Sequence, residues 1–282
     1  MESTILKRKF FEFSNLKLSY LDSESLKSKE TILLTHANGY SAFCYRYLLE
    51  YLSDRYRVIA LDFAGHGDSE GTNNFKNWFF LRDQILKLIS IENLNSIIGI
   101  GHSMGGASQI LTYKKIPDLF KKLILFDPTV LSKKAYLYKL FFGLPIAKNA
   151  SKRRAEFKSL ELIRRSFKKF PAFMNWNAEV FEDYLISCFE KYENGYRLKC
   201  SPKIEEKHFL SPSFLNYLEY GKLKVETHII IPKIYEVCSP KKAKQLSSGN
   251  SSSSYEVNPE LSHFFPFEKT EFTKSRVDQF LN

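Results

Sequence analysis

Ser103 stands in the run Gly101-His102-Ser103-Met104-Gly105, after an apolar stretch and before a helix-forming one. A serine hydroxyl is a weak nucleophile until a base takes its proton. The G-x-S-x-G spacing supplies the other requirement, a sharp turn that exposes the hydroxyl. Glycines two positions to either side let strand and helix approach without a Cβ clash. The helix that follows directs backbone N–H groups at an anion forming beside the serine. The chemistry such a turn serves is acyl transfer through a covalent intermediate. A rival reading takes Gly99 and Gly101 as the opening of a dinucleotide fingerprint, but its third glycine falls at Met104.

A turn of this kind needs a rigid sheet behind it. Short apolar runs at residues 31–35, 57–62, 96–101, 122–126 and 227–231 read as strands buried on both faces. Residues 9–13 and 17–21 read as two earlier strands joined by a tight turn, and 255–257 as a last short one. Between them, Leu81, Ile85, Leu88 and Ile89 fall at helical spacing, residues 104–113 follow a strand directly, and 270–281 form a closing helix. Strand and helix in alternation predict an α/β fold with a mostly parallel, doubly wound sheet. From 130 to 224 the alternation stops. That stretch, rich in aromatics and helix formers, predicts a helical cap inserted into a core made of 1–129 and 225–282. Residues 247–254, SSGNSSSS, read as a low-complexity mobile loop.

Two further segments extend the pattern. His36-Ala37-Asn38-Gly39-Tyr40 follows one strand, and Asp62-Phe63-Ala64-Gly65-His66-Gly67-Asp68-Ser69 follows the next. Together with Gly101-His102-Ser103-Met104-Gly105-Gly106, in this order, they resemble the α/β-hydrolase family in its esterase- and lipase-like, capped form. The resemblance is close over residues 30 to 127 and loose over the last sixty. It implies a catalytic triad on this nucleophile elbow, with Ser103 as nucleophile. It implies an oxyanion hole from the backbone N–H groups of Met104 and Asn38. His36, His66 and His102 lie in the loops just quoted, His208 in the insertion and His228 in a strand. That leaves His263, whose setting Ser262-His263-Phe264-Phe265-Pro266-Phe267-Glu268 is similar to the family's catalytic histidine segment. The acid has two candidates. Glu236 is the sole acid of the loop after the strand that follows the cap, and chain order Ser103, Glu236, His263 suits the fold. Asp127, at the end of the preceding strand, is the alternative. A serine rather than an aspartate at the elbow separates the chain from relatives that form an alkyl ester. The expected activity is hydrolysis of a carboxylic ester or thioester through an acyl-enzyme, with no cofactor and no metal. Alternatives are a carbon–carbon bond hydrolase with the same triad and a non-catalytic binding protein on the same fold.

Charge is the remaining signal. The chain of 282 residues carries a net +11. Residues 131–170 alone hold 12 basic and 2 acidic side chains, so the excess belongs to the first part of the cap. An anionic lipid surface or an acidic acyl substrate suits such a face. Nucleic acid is not expected, because no recognition motif accompanies the cluster. The four cysteines are widely spaced, with no C-x-x-C pair, and read as free thiols in a reducing compartment. The first ten residues lack a secretory h-region, and no apolar stretch reaches the roughly 18 residues of a membrane helix. The expected location is cytoplasmic.

Overall fold

The computed structural model describes residues 5–130, 144–234 and 237–282. Its main sheet has eight strands: β1 Lys7–Phe13, β2 Leu16–Asp22, β3 Thr31–Thr35, β4 Arg57–Leu61, β5 Ile97–His102, β6 Phe120–Phe126, β10 Glu226–Ile234 and β11 Ser254–Ser262. They lie in the order β1-β2-β4-β3-β5-β6-β10-β11. The first two are an antiparallel hairpin whose turn residues Ser14 and Asn15 adopt φ of 48° and 63°. Positive φ at both positions matches the strand twist in a two-residue hairpin. From β4 to β11 every pairing is parallel.

The apolar runs behave as doubly covered strands should. Ile32, Leu34, Val58, Ala60, Ile98, Ile100, Ile124, Phe126 and Ile230 join one buried cluster. Their neighbours Leu33, Ile59, Leu61, Ile97, Leu123, Leu125, Ile229 and Ile231 join another. Successive side chains of a strand point to opposite faces, so the two clusters are the two sides of the sheet. The first cluster continues into Phe157, Phe167, Phe173, Trp176 and Tyr184, between β6 and β10 in sequence. The insertion therefore shares its core with one face of the sheet.

Two expectations need correction. The insertion is mainly helical, but it also holds a three-stranded antiparallel sheet in the order β7-β9-β8, from β7 Glu156–Phe157, β8 Phe189–Tyr192 and β9 Gly195–Leu198. These strands are short and largely uncovered, so no buried apolar run announces them. The signal that identifies them is Asn194-Gly195, where Asn194 closes the two-residue loop begun by Glu193 at φ 47° and Gly195 opens β9. The serine-rich loop is not loose. Asn250 Nδ2 donates to Lys224 O at 2.9 Å, Thr227 N–H donates to Ser253 Oγ at 2.8 Å, and a Cβ on Gly249 would meet Leu223 O at 2.1 Å.

All four cysteines are buried thiols. Cys44 and Cys188 bring their sulfurs to 3.7 Å of each other, one in the core and one in the insertion. No described helix is long and apolar enough to cross a membrane.

Candidate active site

Strand β5 delivers Ser103, and the helix Met104–Lys115 begins with the next residue. Ser103 sits at φ 54°, ψ −118°, a backbone region that a residue with a side chain rarely enters. Two glycines make the turn sterically possible. A Cβ on Gly105 would lie 2.2 Å from Thr35 O, and one on Gly101 would lie 2.5 Å from Gly106 Cα. The turn is pinned through its backbone. Ser103 N–H donates to Phe126 O at 2.9 Å, and Ser103 O accepts from Thr129 N–H at 3.0 Å. Ser103 Oγ lies 3.1 Å from Thr129 Oγ1. Among the described residues no hydrogen bond joins Ser103 Oγ to His263.

Asp127 follows directly on the adjacent strand β6, fully buried and itself at φ 40°. Its N–H donates to Ile230 O, which ties it to β10. Its carboxylate receives His263 Nδ1 at 2.6 Å, Val237 N–H at 3.0 Å and Cys238 N–H at 2.7 Å. Asp127, the alternative acid of the two candidates, thus contacts the imidazole. Glu236 lies outside the described residues. The loop expected to carry the acid contributes two backbone donors to Asp127. His263 follows β11, and its N–H donates to Ile234 O at 3.0 Å.

The other histidines brace loops. His102 Nε2 contacts His263 O at 2.9 Å. A carbonyl can only accept, so Nε2 carries the proton and Nδ1 accepts from Tyr45 Oη–H at 2.7 Å. The Tyr45 oxygen in turn accepts from Ala37 N–H at 3.3 Å. One hydrogen-bonded chain thus joins the 36–40 loop, the elbow and the His263 loop. Burial, with His263 alongside, pushes the His102 pKa well below its usual value, which keeps this imidazole neutral. His36 and His66 brace in both directions. Phe63 N–H donates to His36 Nε2, and Gly39 N–H donates to His66 Nε2, each at 3.0 Å.

Met104 opens its helix, and the first N–H groups of a helix have no partner within it. Asn38 N–H has no backbone acceptor among the described residues, while Asn38 Nδ2 donates to Glu205 O at 3.0 Å. Both expected oxyanion donors thus lie in braced loops. Tyr40, two residues after Asn38, joins an aromatic cluster. The Tyr40 ring meets Phe267, Trp176, Tyr184 and Phe264 at centroid distances of 5.0, 5.5, 5.8 and 6.4 Å. Sequence reading missed Thr129, Tyr45, Arg153 and Glu205. Tyr45, Arg153 and Glu205 belong to no motif, and Thr129 is marked only by its place two residues after Asp127. Among the described residues no group of three or more His, Cys, Asp or Glu gathers as a metal site.

The basic stretch 131–170 is described from 144 onward. There Lys148, Lys152, Lys158, Lys168 and Lys169 stand exposed, while Arg153 turns inward toward Glu205.

An elbow serine after a parallel central strand, with the acid after the adjacent strand β6 and the histidine after the edge strand β11, defines a class of protein. The family model described as "Alpha/beta hydrolase family" matches residues 32–203, and the chain belongs to that family. Among curated relatives, it is 27% identical over 152 residues to the Haemophilus influenzae protein named "Putative esterase/lipase", covering 50% of this chain and 52% of that one. The chain thus spans about half the length of that relative. Among solved structures it resembles E-2-(acetamidomethylene)succinate hydrolase, with a TM-score of 0.81 at 19% identity over 98% of this chain and 99% of that one. It also resembles a thioesterase domain from the curacin biosynthetic pathway, with a TM-score of 0.77 at 17% identity over 98% and 99%. At these identities the structural likeness establishes the shared fold.

Proposed function

We propose that this protein is a serine hydrolase that cleaves a carboxylic ester or thioester through an acyl-enzyme on Ser103. The observation that carries the reading is the 2.6 Å contact between His263 Nδ1 and buried Asp127, one strand away from the elbow serine. In this reading Asp127 accepts from Nδ1–H and so leaves Nε2 free to act as base. His263 Nε2 takes the Ser103 proton as Oγ attacks the carbonyl carbon. The carbonyl oxygen becomes an oxyanion held by Met104 N–H and Asn38 N–H. The tetrahedral adduct collapses, and the departing alkoxide or thiolate receives the proton from His263. Water then repeats the sequence and releases the acid.

A fluorophosphonate probe and a panel of nitrophenyl esters and acyl thioesters test the proposal. The expected result is labelling at Ser103 and turnover that Ser103→Ala abolishes. An unlabelled serine, with no turnover above that control on any chain length, would favour a binding protein on the same fold. Turnover confined to vinylogous diketones would favour carbon–carbon cleavage.

A further inference from the structure

We infer that the buried Glu205–Arg153 pair is a clamp, carried by the inserted segment, that positions the Asn38 loop for oxyanion binding. This rests on the proposed role of Asn38 N–H as an oxyanion donor. Glu205 lies in the first half of the helix Pro202–Leu210. Its backbone carbonyl accepts from Asn38 Nδ2 at 3.0 Å, across 167 positions of sequence. Its carboxylate lies against the next residue of the loop. A Cβ on Gly39, which is at φ 84°, would sit 3.0 Å from Glu205 Oε1 and 3.6 Å from Arg153 Nη1. The loop backbone thus rests directly on the ion pair.

The pair is built rather than incidental. Arg153 comes from a separate part of the insertion. It donates from Nη1 to Glu205 Oε2 at 2.7 Å and from Nη2 to Tyr184 Oη at 3.1 Å, with its guanidinium 5.9 Å from the centre of the Phe167 ring. Glu205 is 6% exposed, and Arg153 is its charged partner among the described residues. Burial raises the Glu205 pKa, and Arg153 opposes that shift. The same helix is fixed on its other contacts. A Cβ on Gly65 would meet Ile204 Cγ2 at 2.7 Å, and Trp78 Nε1 donates to His208 O at 2.9 Å. The helix therefore keeps its seat when the ion pair is cut, and what changes is the local position of the Glu205 carbonyl and of the loop tied to it. Oxyanion donors work at 2.7–3.1 Å, and a misplacement of about 1 Å in an active site can lower rate by about 100-fold.

The test uses Arg153→Met, Glu205→Gln and Asn38→Ala, each normalised to active sites titrated with the fluorophosphonate probe. The expected result is a fall in kcat of about 10- to 100-fold with KM within about threefold, the signature of a transition-state contact. Phenylboronic acid, whose serine adduct is tetrahedral, should lose affinity by a similar factor. Arg153→Lys, which keeps a charge opposite Glu205, should recover part of both. Because Glu205 and Asn38 act through one tether, the double variant should be little worse than the poorer single. A loss explained by fewer active sites or a lower Tm, with kcat per site and boronate affinity unchanged, would overturn the clamp. A wild-type protein that turns over esters while all three variants match it per site would sink the clamp alone. A wild-type protein that neither labels nor turns over would sink the ester reading, and the clamp with it.

Discussion

His263 and Asp127 differ in what each needs from its surroundings. The imidazole must stay near water and substrate, while the carboxylate must be buried and fully satisfied. Asp127 meets that demand with three donors, two from the backbone of the 237–238 segment and one from His263 Nδ1. Asp127→Asn keeps the shape but can present the wrong group to Nδ1. A fall in kcat of about 10⁴-fold is expected by analogy with the well-studied triad. Glu236→Gln should keep kcat within about threefold. Steady-state kinetics on one ester separate the two, and the reverse pattern would make Glu236 the acid. The sequence narrowed the acid to these two residues, and what brings Asp127 to the imidazole is register. Strand β6 pairs with β10 so that Asp127 N–H meets Ile230 O, and this contact is invisible in linear order. Thr129 was likewise hidden, because a threonine beside a nucleophile belongs to no motif.

The elbow is the element where local sequence and tertiary contact agree most closely. Gly105 faces the Thr35 carbonyl so tightly that Gly105→Ala must move the helix Met104–Lys115 away from β3. We expect a loss of more than about 2 kcal/mol, read as a lower urea midpoint, together with lost turnover. An unchanged midpoint would mean that the strand–helix contact is looser than described. The sheet strands were legible for a related reason. Strands β3, β4, β5, β6 and β10 each hold a continuous apolar run, as burial on both faces requires. The helix Thr270–Leu281 was legible from its own periodicity. The small sheet β7-β9-β8 was not, because its residues are half-exposed and obey no burial pattern. Its one local mark was the Asn194-Gly195 turn.

At the scale of the whole molecule, acid sensitivity follows from the buried histidines. His36, His66, His102 and His208 are buried, and burial lowers the pKa of each, in His208 to about 3. An unfolded chain takes up protons on these side chains as pH falls through about 6.5, while the folded chain does not. The stability they contribute is full above about 6.5 and is lost as pH falls toward the folded pKa values. Each group adds a slope of about 1.4 kcal/mol per pH unit over that window. Urea midpoints should therefore hold level above about pH 6.5 and drop steeply as pH falls from there toward about 5, and a flat profile would contradict the buried, neutral assignment. The backbone at the site sets an opposite tension. Ser103 and Asp127 occupy neighbouring strand ends, and both hold positive φ. Conformations of this kind cost about 1–3 kcal/mol each. A glycine at either position would relieve that cost and remove a functional group in the same step. On the proposed function, selecting this protein for heat tolerance without also scoring turnover would reward the loss of Ser103.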